Sequence, residues 1–289
     1  LRFIGGLRWT QDKLNIYHIR RTTLAGPGVG GSFDAGVYNN GALVPAPGTG
    51  FLAGAPNGIP FTANTKNDNF SGKAAVQIDL TDDNMAYLSY TRGYKGPAYN
   101  VFYNMATVHT NVIEPETVNA FEAGLKNSFL EGALIVNLAA YYAKYKNYQA
   151  NSPDFVNGVR TTRLINAGSV STQGFELELV ATPADNFSVN AGLAYNKAKV
   201  EQFLLPPGAN PADLIPSGTP LANAPEWKFA TGFDWTIETG GFANVELNGQ
   251  LAMQSDQIYE LSANPAVRRG STVDGYAIVD LSAALVDQN

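Results

Sequence analysis

Hydrophobic and polar residues alternate strictly along many segments of this chain. The segment 187–197 ("FSVNAGLAYNK") is one example, in which polar or small residues separate five larger or apolar ones: Phe187, Val189, Ala191, Leu193 and Tyr195. Because a β-strand places successive side chains on opposite faces, one face of this segment is apolar and the other polar or small. Equivalent patterns at 1–13, 70–80, 85–96, 116–129, 133–149, 163–181, 227–237, 243–254 and 275–286 predict about ten strands.

The predicted strands are long, and their polar faces carry charges. Most run for about 11 to 17 residues, whereas strands of globular proteins average roughly 5–6 and a strand that crosses a membrane needs about 9–11. A soluble two-layer sandwich also presents one apolar and one polar face, so alternation alone leaves both architectures open. The charged residues that share the polar faces are Lys73, Asp79, Glu122, Lys126, Glu176, Glu178, Lys228, Asp234, Glu246 and Asp280.

The connections between the strands distinguish the two architectures. Tight turns rich in Asp, Asn, Gly and Pro occur at 81–84, 130–132, 183–186 and 239–241, and they alternate with long connections at about 18–68, 97–113, 150–162, 201–224 and 258–274. All tight turns therefore lie at one end of the sheet, as in outer-membrane barrels. Aromatic residues near strand ends, such as Trp9, Phe187 and Trp227, fit an interfacial girdle. We predict an all-β, antiparallel transmembrane β-barrel whose apolar face contacts lipid.

Composition narrows the possible functions. The formal net charge of −6 disfavours nucleic acid as a partner, and the chain has no cysteine for disulfides or thiolate metal sites. No apolar run approaches the roughly 18 residues of a transmembrane helix. The chain opens inside a predicted strand, with no initiator methionine and no signal peptide. We therefore expect it to be a piece of a longer protein.

Four segments together resemble one protein family, the TonB-dependent outer-membrane receptors. They are "AYLSYTRGYKGPAYN" (86–100), "EPETVNAFEAGLKN" (114–127), "INAGSVSTQGFELEL" (165–179) and "LANAPEWKFATGFDW" (221–235). Each is similar to a recurring strand motif of the family, and the four occur in the family's order. The iron-complex, or siderophore, branch is the one that the motifs resemble.

The resemblance implies a fold, a location and a function. The family fold is a 22-stranded barrel in the Gram-negative outer membrane, plugged by an N-terminal domain. Residues 1–289 are then a single partial barrel domain of about ten strands, without the plug, the early strands and the final strands. The implied partners are outer-membrane lipid and TonB, the latter through a segment absent from this chain.

The implied activity is TonB-coupled active uptake of a scarce ligand, with a ferric siderophore as the expected cargo. Haem, cobalamin or an oligosaccharide are alternative cargoes. A passive porin-like channel is the alternative function, and an outer-membrane enzyme is a third hypothesis that the scarcity of histidine disfavours. We expect no catalytic residues, no bound metal and no resident cofactor.

The segment 93–109 is the candidate for ligand contact, because it combines aromatic rings and positive charge on a predicted outer loop. Such groups suit an anionic, aromatic iron chelate. An alternative is that its tyrosines only anchor the girdle. The candidate residues are Tyr94, Lys95, Tyr99, Phe102, Tyr103 and His109.

Other motifs have simpler interpretations. Residues 26–31 satisfy G-x-G-x-x-G, but they lie in a Gly- and Pro-rich loop without the strand and helix of a dinucleotide site. The two histidines, His18 and His109, lack the spacing of a metal or catalytic site. The adjacent carboxylates Glu176 and Glu178 share the polar face of one strand, where we expect them to contact the plug or water in the lumen.

Overall fold

The structure of the chain is a computed structural model, and it describes residues 1–19, 36–39, 42–45, 60–99, 112–156, 159–205 and 211–287. None of the helices in these ranges is both long and apolar enough to cross a membrane. They comprise α1 (Pro265–Gly270) and two short 3-10 turns, Leu130–Gly132 and Pro211–Asp213.

Strands make up most of the described residues. In chain order they are β1 (Arg2–Ile19), β2 (Gly36–Asn39), β3 (Ala42–Pro45), β4 (Pro60–Asp79), β5 (Asn84–Lys95), β6 (Ala98–Tyr99), β7 (Val112–Ile113), β8 (Glu116–Phe129), β9 (Leu134–Lys146), β10 (Gln149–Val156), β11 (Val159–Asn166), β12 (Gly168–Ala184), β13 (Phe187–Phe203), β14 (Trp227–Ile237), β15 (Ala243–Gln254), β16 (Gln257–Ile258), β17 (Thr272–Val273) and β18 (Tyr276–Asp287).

Ten of these strands form a single sheet in the order β1-β4-β5-β8-β9-β12-β13-β14-β15-β18, and every neighbouring pair is antiparallel. The ten predicted strands are therefore confirmed. The order follows the chain, as expected when each strand returns beside its predecessor. The short pairs β2–β3, β6–β7, β10–β11 and β16–β17 lie in the long connections. Within the described residues the sheet is open, with β1 and β18 at its two edges.

The strand register confirms the predicted faces. Leu193 lies opposite Leu177 on one side and Phe229 on the other, while the next residue, Ala194, lies opposite Glu176. Directly opposed residues share a face of the sheet, so this register separates an apolar outer face, which includes Leu193, from a polar inner face, which includes Glu176. Followed from strand to strand, the register places all ten charged residues of the predicted polar faces on the inner face.

Short polar contacts close the tight turns. In the turn 81–84 the Asp83 amide donates to Thr81 Oγ1 at 3.3 Å, and in the turn 239–241 the Gly241 amide donates to Thr239 Oγ1 at 3.2 Å. Gly132 has a φ of +94°, a conformation that glycine adopts without a steric cost. Side chains that satisfy backbone groups locally allow these strands to reverse direction within a few residues.

Several predicted boundaries differ from the structure, and β1 and β13 each extend about six residues beyond their predicted ends. The predicted strand 163–181 is interrupted at Ala167, the residue between β11 and β12, and the adjacent Gly168 has a φ of +101°. The region 150–162, predicted as a loop, contributes to the β10–β11 hairpin. In addition, β4 begins ten residues before the predicted start at Phe70. Residues 60–69 are mostly polar, so they lack the alternation that marks a strand bordered by lipid on one face.

Candidate functional site

The inner face forms a concavity of about 740 Å³ between β5 and β18. Small residues form its floor and longer charged or polar side chains its rim. The floor includes Ala139, Gly192, Ala194, Ala230 and Ala252, and the rim includes Tyr87, Lys126, Glu176, Glu178, Lys228 and Gln254. Because small residues lie opposite one another, they leave room above the sheet, and another polar surface can pack there. We call this part of the inner face the wall.

The charged groups of this wall form few contacts with one another. The Asn137 side chain donates to Glu178 Oε2 at 3.0 Å, and the Tyr141 hydroxyl donates to Asn196 Oδ1 at 3.1 Å. Glu176 and Glu178 are exposed, and same-face neighbours along a strand lie about 7 Å apart. Among the residues that the structure describes, no group of three or more His, Cys, Asp or Glu side chains could hold a metal ion. The wall therefore offers polar groups to a neighbouring surface or to water.

Tyr94 and Lys95 end β5 at the side of the sheet that carries the long connections. The Tyr94 hydroxyl donates to Asp12 Oδ2 at 2.6 Å and lies 3.3 Å from Asn67 Oδ1. This bond joins the end of β5 to the β1–β4 pair. Lys95 is exposed and lies opposite Glu116 in the strand register.

Tyr99 has a different environment from Lys95. It pairs with Val112 in the β6–β7 hairpin and has an exposed fraction of only 8%. Its hydroxyl is buried and has no hydrogen-bond partner within the described ranges. Burial raises the pKa of the Tyr99 phenol above its ordinary value. Of the six candidate residues, Phe102, Tyr103 and His109 lie outside the described residues, as do residues 26–31; the side chain of His18 is not described either.

Gln149 and Asn166 hold this region together, and sequence reasoning missed both. The buried Gln149 side chain donates to the carbonyls of Gly96 and Glu114, at 2.9 and 3.0 Å. The Asn166 side chain donates to the Glu114 carbonyl at 2.8 Å and accepts from the Glu114 amide at 2.7 Å. These bonds connect the end of the candidate loop to the β10–β11 hairpin. Asn166 is the Asn of the segment 165–179, which was the only sequence signal of its role.

An apolar core lies among the long connections, on the same side of the sheet as Tyr94. Five buried residues form it: Ile165, Ala167, Val200, Phe203 and Ile215. Tyr148, Leu205, Leu221 and Leu261 pack against it. Backbone bonds accompany this packing, with the Val200 amide donating to the Thr219 carbonyl at 2.9 Å and the Leu204 amide to the Ala167 carbonyl at 3.1 Å. We call this group the outer core, and it joins three of the long connections into one body.

Comparison with known proteins identifies relatives of this architecture. Residues 1–287 match the family "TonB dependent receptor-like, beta-barrel". The chain is 26% identical over 149 residues to the probable TonB-dependent siderophore receptor PiuA of Acinetobacter baumannii, covering 50% of this chain and 19% of PiuA. It is 28% identical over 160 residues to the ferrioxamine receptor of Yersinia enterocolitica, covering 54% and 21% of the two chains. The matched segments are thus about a fifth of these relatives.

Solved structures show the same fold at low sequence identity. The ferric-catecholate import receptor Fiu from K12 E. coli, in its closed form, aligns with a TM-score of 0.64 and 17% identity, over 99% of this chain and 36% of Fiu. The ferric yersiniabactin uptake receptor FyuA from Yersinia pestis aligns with a TM-score of 0.61 and 18% identity, over 79% and 32%. The sheet described above therefore corresponds to about a third of each solved chain.

Proposed function

Because the chain belongs to the TonB-dependent receptor β-barrel family, whose members lie in the outer membrane of Gram-negative bacteria, we propose that the whole protein takes up a ferric siderophore with energy supplied through TonB. The observation that carries this proposal is the separation of the ten-stranded sheet into an apolar outer face and a charged inner face. Lipid can cover the outer face, while the inner face borders an aqueous passage or a plug. Curated relatives named as siderophore receptors support the cargo class.

We propose that residues 1–289 form one partial barrel domain, completed by strands and a plug elsewhere in the protein. The matched segments that cover about a fifth of the curated relatives support this arrangement. The concavity on the inner face is then the surface that faces the plug, and the exposed Glu176 and Glu178 contact it or the intervening water.

The mechanism consists of binding and movement. A ligand is captured by the connections on the Tyr94 side, and TonB then displaces the plug so that the ligand can pass the inner face. The family is one of transport receptors, which supports a function without any covalent step. The outer core supports the first stage, because a capture surface that is already ordered loses less conformational entropy when it binds.

Ligand contact at the loop after β5 is part of the same proposal. Lys95 supports it by its exposure and charge, and Phe102 and Tyr103 supply rings three and four residues beyond Tyr99 in the sequence. Tyr94 and the buried Tyr99 would hold the base of the loop, whereas His109 remains a candidate near its end. An anionic chelate that stacks on rings and pairs with one lysine fits this composition.

The combined change Lys95→Gln, Phe102→Ala and Tyr103→Ala should weaken ligand binding about tenfold to several hundredfold. Each well-packed aromatic contact is worth about 0.5–1.5 kcal/mol beyond its buried area, and about 1.4 kcal/mol corresponds to a factor of ten. Tyr99 stays in place so that loop packing is preserved. Whole-cell binding of ferric siderophore by the full-length receptor measures the effect, with surface display checked in parallel. Unchanged affinity with normal display would place the contact elsewhere.

Uptake of ⁵⁵Fe-siderophore by cells that express the full-length receptor tests the function itself. We expect saturable uptake that is lost when TonB is deleted, while binding of the ferric siderophore at the cell surface persists. Uptake that is unaffected by TonB deletion would favour the passive channel instead. TonB-dependent uptake of the iron-free siderophore, or of haem or cobalamin instead of the ferric siderophore, would identify a different cargo. The conclusion that uptake is coupled to TonB would still hold.

A further inference from the structure

The pairing of β5 with β8 is interrupted where the two strands leave the sheet. The short pair β6–β7 continues the same register, but two residues on each strand separate it from β5 and β8. These residues are 96–97 and 114–115, and each half contains a proline, Pro97 and Pro115. Because proline has no amide hydrogen to donate, carbonyl groups here lack the donors that a continuous ladder supplies. We call these four residues the proline gap.

The side chain of Gln149 supplies donors to the proline gap. It is buried, with an exposed fraction of 7%, and its amide donates to the Gly96 carbonyl at 2.9 Å and to the Glu114 carbonyl at 3.0 Å. The backbone amide of Gln149 donates to Glu116 Oε2 at 2.7 Å. One residue therefore holds both strands of the gap and also the side chain that lies opposite Lys95.

Gln149 is itself fixed to the outer core through its neighbour Tyr148. The Tyr148 amide donates to the Gly168 carbonyl at 2.9 Å, and the Tyr148 carbonyl accepts from the Ala167 amide at 2.7 Å. Ala167 belongs to the outer core, and Tyr148 packs against it. The proline gap is thus bridged by a residue whose own backbone is held by a buried cluster.

Lys95 is the residue whose position depends most directly on this bridge. It is the last residue of β5, immediately before Gly96, and lies on the inner face at the end that carries the long connections. Lys95 is exposed, and no ion pair joins it to Glu116 or to any other residue that the structure describes. The Glu116 carboxylate accepts from the Gln149 amide instead. An anionic group in the mouth of the barrel can therefore pair with Lys95.

We propose that Gln149 is a positioning residue for cargo capture, and that it acts through Lys95 by bridging the proline gap. The inference rests on the proposed function, because the position of Lys95 matters only if Lys95 contacts the cargo. Gln149 itself does not touch the cargo, since its side chain is buried and both of its amide hydrogens are used.

The bridge should control how long the cargo stays bound. Without Gln149 the proline gap opens more often, and each opening withdraws Lys95 from an anionic oxygen of the bound chelate. The rate of cargo dissociation should therefore change more than the rate of association, as is usual when a contact within an established complex is weakened.

Hydrogen–deuterium exchange of the ligand-free, full-length receptor tests the bridge without any cargo. The change Gln149→Met keeps the length of the side chain and removes both donors. Because one hydrogen bond is worth about 2- to 13-fold in an equilibrium constant, exchange in peptides that cover 94–99 and 112–118 should accelerate roughly 5- to 150-fold. Gln202→Met is the matched control, because Gln202 is exposed near the end of β13 on the same side of the sheet, and exchange should stay unchanged.

Dissociation of ⁵⁵Fe-siderophore from the full-length receptor, in cells without TonB, tests the effect on the cargo. We expect Gln149→Met to accelerate dissociation at least about fivefold, but by no more than Lys95→Gln does, and Gln202→Met to have no effect. In a receptor that already carries Lys95→Gln, adding Gln149→Met should change the rate less than about twofold, because the residue through which it acts is absent. Gln149→Lys retains a donor for both carbonyls and should release the cargo as slowly as the unmodified receptor. Heat-modifiability and surface display confirm that each variant has assembled.

Four results would overturn the inference. Unchanged exchange in Gln149→Met would show that the proline gap does not depend on this side chain. Faster exchange with unchanged dissociation would leave Gln149 a structural role alone. Equal acceleration by Gln149→Met with and without Lys95→Gln would place its effect elsewhere, and normal dissociation from Lys95→Gln alone would remove the residue through which it acts. Failure of the transport proposal is seen separately, as an unmodified receptor that binds no ferric siderophore or takes it up without TonB.

Discussion

Replacing Leu251 by arginine should prevent the full-length receptor from assembling in the outer membrane, whereas the same replacement at the adjacent Gln250 should be tolerated. Leu251 lies opposite Thr231 and Val279 on the outer face. It is halfway along β15 between the levels of Trp235 and Trp227, the two aromatic rows that bound the apolar band. Arginine at the bilayer midplane of a barrel costs about 2–4 kcal/mol.

Gln250 is a matched control for Leu251 because the two positions are adjacent in β15 and differ in the face of the sheet that they occupy. It lies opposite Gly232 and Asp280 on the inner face, so an arginine there gains a carboxylate neighbour and remains in contact with water. Heat-modifiability in gel electrophoresis, with surface display measured beside it, reports assembly for both variants. If the two variants behaved alike, the assignment of outer and inner faces would be wrong.

The sequence could predict those parts of the fold that lipid borders. A strand between lipid and an aqueous interior must alternate, so ten strands, four tight turns and the face of every inner charge were visible without a structure. One residue of register error would expose Glu176 or Lys228 to hydrocarbon, and this physical penalty makes the pattern strict. The four family motifs indicated the receptor family, which the alternation of hydrophobic and polar residues cannot indicate.

Beyond the membrane the same signal is lost. Residues 60–69 of β4 and the β10–β11 hairpin, which is separate from the ten-stranded sheet, have no period of two in the sequence. Ser171 is fully buried on the outer face, where the residues opposite it are Lys144 and Lys199. Polar residues therefore occupy this end of a face that is apolar elsewhere. The outer core assembles Ile165 of β11, Val200 of β13 and Ile215 of the connection after β13, and such contacts leave no local pattern.

The candidate ligand site shows the same limit. Lys95 is exposed as a binding residue would be, whereas Tyr99 is buried, and composition alone could not separate the two. The role of Gln149 was not predicted, because a glutamine at the end of a predicted strand is unremarkable in sequence. Its importance comes from two carbonyls that the fold brings to it from the connection between β5 and β8.

Replacing Phe203 by alanine should loosen the long connections without preventing barrel assembly. Phe203 is a member of the outer core with an exposed fraction of 8%, and removal of a buried phenylalanine costs about 3–5 kcal/mol. This free energy stabilises the outer core alone, because Phe203 is the last residue of β13 and lies eight residues beyond Tyr195. Local opening of the connections should therefore increase roughly 100- to 4,000-fold.

Trypsin can detect this opening at α1, where Arg268 and Arg269 lie in a connection whose Leu261 packs on the outer core. We expect faster cleavage there in the folded Phe203→Ala receptor, together with weaker binding of ferric siderophore and unchanged heat-modifiability. The neighbouring change Leu204→Ala is the control, because Leu204 has an exposed fraction of 45% and should affect neither measurement. Equal cleavage in the two variants would show that the outer core does not order the connections. If Phe203→Ala weakened binding and Leu204→Ala did not, capture would depend on the packing of the outer core. No residue of the outer core would then need to touch the ligand.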